Sequence, residues 1–187
     1  LNRLLKALLV VLLVLAAISL SVWFAGRALM ARSLARYSGD ESGLKLAQTV
    51  DISFDKRGVP RIRATSDSDL YFALGYVHAS ERLFQMELVR RLARGELSEV
   101  FGTLAYETDV RQRKIGFGRK AVRDSTALSP VAAGMLDRYV AGINAWVEKA
   151  RALPPEFTVL RFRPRPWTAS DCLAIALYQT WFSHELM

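Results

Sequence analysis

Ser66-Asp-Ser-Asp-Leu-Tyr-Phe-Ala-Leu-Gly-Tyr-Val-His-Ala-Ser-Glu-Arg-Leu-Phe-Gln-Met-Glu-Leu-Val-Arg-Arg-Leu-Ala-Arg-Gly95 is the stretch on which the fold turns. Its first four residues offer several helix N-caps. Leu70, Ala73, Leu74 and Val77 then recur at i, i+3, i+4 and i+7, and Phe84, Leu88 and Leu92 continue a four-residue ridge. Gly95 is a natural C′ residue, so the spacing predicts one long helix closed by glycine. Gly75 interrupts the pattern and costs about 1 kcal/mol relative to alanine; a close backbone contact would account for it. Glu87 can pair with Arg90 and Arg91 on the helix surface. With Glu96 and Glu99 close by, Arg90, Arg91 and Arg94 read as a solvated, salt-bridged face rather than an anion site.

Upstream, Val50, Ile52 and Phe54 alternate with Asp51 and Ser53, the period of a half-buried strand. Asp55-Lys-Arg-Gly58 supplies a turn, and Val59, Ile62 and Ala64 follow with basic residues between them. A hairpin is predicted, with Pro60 near the start of its second strand, where a missing N–H does least harm. Residues 37–48 are polar, contain two glycines and read as a linker. Downstream, Ser129-Pro130 is a cap followed by proline at the first helical position. Ala132, Met135, Leu136, Tyr139, Val140, Ile143 and Val147 form that helix's buried stripe, and Leu153-Pro-Pro155 is expected to end it. Thr168 and Asp171 resemble a capping box with Asp in the usual Glu/Gln place. Cys172 to Phe182 is apolar almost all round and is expected to need cover on every side. Because the sequence stops five residues later at Met187, a missing partner surface is expected.

The N-terminal segment differs in kind. Ala7 to Ala25 is a 19-residue run without a charge, long enough as a helix to span about 28 Å. Arg3 and Lys6 precede it, Trp23 suits a headgroup interface, and Arg27, Arg32 and Arg36 follow, so the basic count does not settle the orientation. The segment is either an export signal or a membrane anchor. It also explains the net charge of +8: residues 1–36 hold five basic residues and no acid, leaving 21 basic against 18 acidic residues elsewhere. Phospholipid headgroups account for that distribution better than nucleic acid, so nucleic acid is not an expected partner. A chain 51% hydrophobic with 19 aromatics can bury a core. The single cysteine, Cys172, excludes an internal disulfide and a thiolate zinc cluster.

No complete catalytic constellation emerges from the residues. His78-Ala-Ser80-Glu81 holds a base, a hydroxyl and a carboxylate, but helix neighbours do not converge as a triad does. His78 and Glu81 have the spacing of half a metal site and lack a second pair, which favours a plain helix-face hydrogen bond. Gly116-Phe-Gly118 is too short for a phosphate loop. Cys172 sits in an apolar helix, where burial raises a thiol pKa and blunts it as a nucleophile. Tyr178, Trp181 and Phe182 suit either an apolar pocket or ordinary packing. Glu185, after that apolar run, needs solvent, a cation or a metal.

Several blocks together resemble one family. They are Phe54-Asp-Lys-Arg-Gly-Val-Pro-Arg-Ile62, Leu74-Gly-Tyr-Val-His-Ala-Ser-Glu-Arg-Leu-Phe-Gln-Met86, and Arg90-Arg91 leading to Gly95-Glu-Leu-Ser-Glu-Val-Phe-Gly102. Tyr139-Val-Ala-Gly-Ile-Asn-Ala-Trp146, Leu153-Pro-Pro-Glu-Phe157 and Pro166-Trp-Thr-Ala-Ser-Asp171 follow in the same order. They resemble the start of the penicillin acylase (penicillin amidase) family, which includes acyl-homoserine lactone acylases. Arg61 stands where His is common in that family, and Glu81 where Asp usually precedes Arg82.

The resemblance implies an α+β fold: the mostly helical first-chain portion of an αββα N-terminal-nucleophile hydrolase. Residues 1–36 would be signal or anchor, 37–48 linker, and 49–187 the incomplete N-terminal part of the acylase-like domain. Such precursors cut themselves in two, and the new N-terminal residue of the second chain attacks the amide carbonyl with its own α-amine as base. No catalytic residue is therefore expected in this chain. The implied substrate-binding candidates are Tyr178, Trp181 and Phe182, and Glu185 is the implied ligand of a structural calcium. Ca²⁺ takes 6–8 oxygens, so the other ligands would come from downstream. The implied partners are an acyl-amide substrate, the second chain, and a membrane through residues 7–25; the implied location is periplasmic or otherwise extracytoplasmic. The rival reading is a membrane-anchored, non-catalytic binding or scaffold protein built from the same fold.

Overall fold

The computed structural model describes residues 2–33 and 37–185, apart from the side chains of Leu4, Leu29, Arg32, Ser33 and Glu185. Helix α1 (Arg3–Ser33) includes a candidate span, Leu5–Ala28, long and apolar enough to cross a membrane; a signal sequence meets the same description. Its described leucines and valines, from Leu5 to Val22, are exposed. The Arg32 side chain and Arg36, both counted for orientation, lie outside the described residues.

Strands β1 (Asp51–Phe54) and β2 (Pro60–Arg63) form the predicted antiparallel hairpin, with Ile52 opposite Ile62 and Phe54 opposite Pro60. Those pairs face inward, while Asp51–Arg63 and Ser53–Arg61 face solvent. Asp55 closes the turn by accepting from the Arg57 and Val59 N–H groups at 2.8 and 2.9 Å, and Gly58 takes the left-handed φ of 76° that the turn requires.

Helix α2 (Asp67–Arg94) is the long helix the opening stretch predicts. The Ser66 hydroxyl accepts from the Asp69 N–H, and Gly95, with φ 68°, ends the helix in a left-handed turn. A local break at Arg82 (φ −139°) bends it. Helix α6 (Pro130–Lys149) starts at Ser129 as expected, the hydroxyl accepting from the Ala132 N–H. Gly75 of α2 and Gly142 of α6 form the crossing between these two helices. A Cβ on Gly75 would overlap the Tyr139 carbonyl oxygen and lie 2.9 Å from its carbon, and one on Gly142 would do the same to the Phe72 carbonyl. The close backbone contact inferred for Gly75 is therefore present, and Gly142 supplies its other half.

Residues 98–125, for which the sequence reading assigns no element, are helical as well. They comprise α3 (Ser98–Phe101), a 3-10 turn at Gly102–Ala105, α4 (Tyr106–Ile115) and α5 (Phe117–Ser125). The buried Asp109 carboxylate holds this segment back on the end of α2, accepting from the Leu97 and Ser98 N–H groups at 2.9 and 2.7 Å. A short α7 (Pro155–Val159) precedes α8 (Ala169–Glu185). The main core gathers Ala79, Leu83, Val140, Ile143, Phe157 and Trp167 between α2, α6 and α7. A second cluster, Ala93, Ala121 and Ala174, marks where α2, α5 and α8 approach closely enough to admit only methyl groups.

The polar segment 37–48 has neither helix nor strand, yet it is fastened down. Asp69 accepts from the Ala47 and Gln48 N–H groups at 3.0 and 3.1 Å, and Arg138 donates to the Lys45 carbonyl at 2.7 Å. The Ala47 bond leads in holding the Asp69 carboxyl below its usual range, with further help from Gln48, Ser66 and Arg138, although burial pushes the other way. A depressed carboxyl pKa stabilises the fold above the unfolded value, about 3.9, and that contribution disappears as pH falls through the lower folded value. The protection of the Ala47 and Gln48 amides, relative to their intrinsic exchange rate, is therefore expected to fall below about pH 4, and Asp69→Asn should show low protection at every pH. Protection independent of both acid and substitution would contradict this anchoring role.

Candidate functional site

The substrate-binding candidates lie together at the far end of α8, and a buried ionic network holds the near end of that helix. Glu87 pairs with Arg90 at 2.5 Å and with Arg91 at 2.9 Å. Arg90 and Arg94 both reach Asp171, at 3.5 and 3.4 Å, and Arg165 bridges Glu96 at 2.6 Å. The Glu87 and Arg90 side chains are 0% exposed. Arg90 also donates to the Arg165 carbonyl and lies 4.5 Å over the Trp167 ring, while Arg91 lies 5.0 Å from the Phe162 ring centroid. The solvated face expected for Arg90, Arg91 and Arg94 is thus a correction: the ion pairs exist, but Arg90 and Arg91 are buried and Arg94 is mostly covered. The cause is the segment 160–171, which folds over this part of α2 and brings Asp171, Trp167 and the Arg165 carbonyl onto it. Burial pushes the Glu96 carboxyl upward, yet the hydrogen bonds and charges of Arg165 and Arg94 bring it below its usual range.

Two further contacts fix that covering segment. Asn144 of α6 pairs with the Trp167 peptide, its amide N–H donating to the carbonyl at 3.0 Å and its oxygen accepting the N–H at 2.8 Å. Asp171 accepts from both the Thr168 N–H and its hydroxyl at 2.9 Å, which is one half of the predicted capping box; the Asp171 N–H donates to the Thr168 carbonyl instead of the hydroxyl. Past this clamp, α8 is covered on one side only. Ala174 is buried, whereas Ala176, Gln179, Thr180 and Phe182 face outward. Within the described residues the packing reaches one face of α8 and leaves the other, which includes polar Gln179 and Thr180, without cover.

At the outer end, Tyr178 and Phe182 stack with centroids 5.9 Å apart, and Trp181 is 6.2 Å from Tyr178. Phe117 of α5, which the sequence reading did not single out, joins them at 6.1 Å from Tyr178 and 5.6 Å from Trp181. Arg111 of α4 lies 5.4 Å over the Trp181 ring. Phe182 remains 44% exposed. The result is an aromatic surface with one cation at its edge, suited to a flat apolar group and carrying no nucleophile of its own.

The other sequence candidates do not join this surface. Burial, and secondarily the nearby Asp171 charge, push the Cys172 thiol up to about 12, which leaves no useful thiolate at neutral pH. Burial holds His78 below its usual range and pushes Tyr139 up to about 12, so a protonated Tyr139 hydroxyl faces His78 Nδ1 at 2.9 Å. The helix-face bond expected for His78 and Glu81 is therefore replaced by a bond across to α6. Glu81 accepts from the Tyr37 hydroxyl at 3.2 Å. Among the described residues no three His, Cys, Asp or Glu side chains converge on a point that could hold a metal. The side chain of Glu185, the implied calcium ligand, lies outside the described residues.

The chain's likeness to known proteins is extensive. Residues 49–186 match the penicillin amidase family model. The chain is 41% identical over 138 residues to the penicillin acylase 2 proenzyme of Pseudomonas sp. (strain SE83), covering 74% of this chain and 18% of that protein. It is 37% identical over 131 residues to the acyl-homoserine lactone acylase QuiP of Pseudomonas fluorescens, covering 70% and 16% respectively. The chain thus spans less than a fifth of the length of these curated relatives. Among solved structures, a thermostable penicillin G acylase from Alcaligenes faecalis matches with a TM-score of 0.64 at 31% identity, covering 71% of this chain and 72% of that one.

Proposed function

Since the chain belongs to the penicillin amidase family, we propose that it is the N-terminal, first-chain portion of an exported precursor that hydrolyses linear acyl amides. The observation that carries this reading is the match to a solved penicillin G acylase chain of nearly equal length over most of both. In this reading the nucleophile is a Ser, Thr or Cys exposed at the start of a downstream second chain, within the four-layer αββα core that the two chains build together. Its own α-amine removes the proton, and pre-placed donors stabilise the tetrahedral oxyanion.

The chain's role is to present one wall of the acyl pocket. Tyr178, Trp181 and Phe182, backed by Phe117, offer the apolar surface; the clamp of Asp171 by Arg90, Arg94 and Arg165 fixes the helix that carries them. Glu185 is a candidate calcium ligand only in company with downstream oxygens. Helix α1 supports export or anchoring of the precursor at a membrane. A non-catalytic, membrane-anchored scaffold is the competing reading, and activity of the complete precursor excludes it.

The test is hydrolysis, by the complete gene product, of a panel of acyl amides differing only in acyl length and bulk. Trp181→Ala and Phe182→Ala are expected to shift kcat/KM toward bulkier acyl groups by about 10-fold or more, since a pocket contact of this size is worth roughly 1–3 kcal/mol. Acyl preference unchanged in both variants would remove α8 from the pocket.

A further inference from the structure

Gly116, at the junction of α4 and α5, takes a left-handed φ of 89° as the last cap of one helix and the first of the next. A cavity of about 260 Å³ lies there, lined by Arg94, Gln112, Arg113, Gly116, Gly118 and Arg119. Arg94 is already engaged by Glu96 at 3.1 Å and Asp171 at 3.4 Å. Arg113 and Arg119 are not engaged in this way: their recorded bonds run to main-chain carbonyls, Arg113 Nε to Gly95 at 2.6 Å and an Arg119 Nη to Arg113 at 2.7 Å. Those bonds orient the two guanidinium groups and leave the remaining N–H groups of each available. Arg119 lies over the glycine turn, close enough that a Cβ on Gly116 would sit 2.7 Å from its second Nη.

Gln112 supplies an independent sign of a ligand. It is only 5% exposed, it lines the same cavity, and its amide oxygen has no hydrogen-bond donor. A buried acceptor left unmet costs about 1–3 kcal/mol. An occupant with negative oxygens for the two guanidinium groups and an O–H for Gln112 would satisfy every group. The opening N–H groups of the nine-residue α5 favour the same negative charge. Hydrogen phosphate meets these demands, sulfate at neutral pH lacks the O–H, and chloride offers neither the shape nor the donor.

We propose that the α4–α5 junction is a phosphate-binding site, held by Arg113 and Arg119 with Gln112 accepting from the phosphate O–H. The site does not depend on the acylase reading. Its test is calorimetric titration of the full chain, in detergent and chloride buffer at neutral pH, with inorganic phosphate, sulfate and glycerol 3-phosphate. Saturable phosphate binding is expected, with sulfate at least several-fold weaker. Arg119→Gln should weaken phosphate binding about 10-fold or more, as expected for a lost charge-assisted bond, without changing the thermal midpoint in chloride, and Arg119→Lys should restore part of it. Binding of glycerol 3-phosphate as well as inorganic phosphate identifies a site open to monoesters; binding of inorganic phosphate alone identifies a closed oxyanion site. Absence of saturable phosphate binding, equal affinity for sulfate, or unchanged affinity in Arg119→Gln overturns the proposal.

Discussion

Replacing Gly142 by alanine is expected to destabilise this fold by more than about 3 kcal/mol, the upper part of the range for overpacking a closed interior. The added methyl group would overlap the Phe72 carbonyl oxygen and come within 2.8 Å of the Tyr76 nitrogen. Both are main-chain atoms of a hydrogen-bonded helix, so no rotamer change relieves the clash; α2 and α6 must separate. That separation opens the core between Leu83, Val140 and Ile143, which is the largest in the chain. Gly75→Ala should behave alike, because its Cβ would meet the Tyr139 carbonyl from the other side. Gly134 is the internal control. It lies on the same α6 helix with nothing within 4 Å of a built Cβ, so Gly134→Ala is expected to stabilise by up to about 1 kcal/mol through helix propensity alone. Denaturant unfolding of the three variants checks the contrast, and a mild effect at Gly142 would show that the helices do not approach this closely.

Glu87→Gln is the second large effect, with an expected loss of about 3–5 kcal/mol. The substitution preserves shape but removes the one carboxylate that both Arg90 and Arg91 share on α2. Arg90 would keep only Asp171, at 3.5 Å, and the Arg165 carbonyl, deep in a region water does not reach. An exposed pair provides the comparison: Lys120 and Asp124 are 2.7 Å apart on α5 but more than a third exposed, and Lys120→Ala should cost at most about 0.5 kcal/mol. Added salt should weaken the Lys120 pair and leave the Glu87 cluster unaffected. A change below about 1 kcal/mol for Glu87→Gln would mean that solvent reaches the cluster after all.

The contrast between those two pairs also marks where the sequence stopped being legible. Glu87 with Arg90 and Arg91, and Lys120 with Asp124, follow the same i, i+3 and i+4 rule. Spacing identifies the pairs without saying which of them is buried. What buries the first set is Trp167, Asp171 and the Arg165 carbonyl, some 75 to 85 residues away in the chain, and no local pattern encodes that encounter. Local signals served well where the physics is local: Ser66 and Gly95 bracket α2, Ser129-Pro130 opens α6, and Asp55 with Gly58 turns the hairpin. Gly75 was readable as a close contact, but its counterpart Gly142 looked like any helical glycine. The polar α4 gave no apolar stripe to detect, and so Phe117, just beyond it, was not recognised as part of the aromatic surface. Trp181 and Phe182 both fall beside Tyr178 because they lie three and four residues after it on one helix.

The measurement that bears most directly on the account is intact-mass and N-terminal analysis of the complete gene product, purified in active form. Two polypeptides are expected: a first containing residues 49–185 and a second beginning with Ser, Thr or Cys, with amide hydrolysis present only when both are together. A single uncut polypeptide that hydrolyses no linear amide would contradict the reading of this chain as the supporting half of a two-chain amidase.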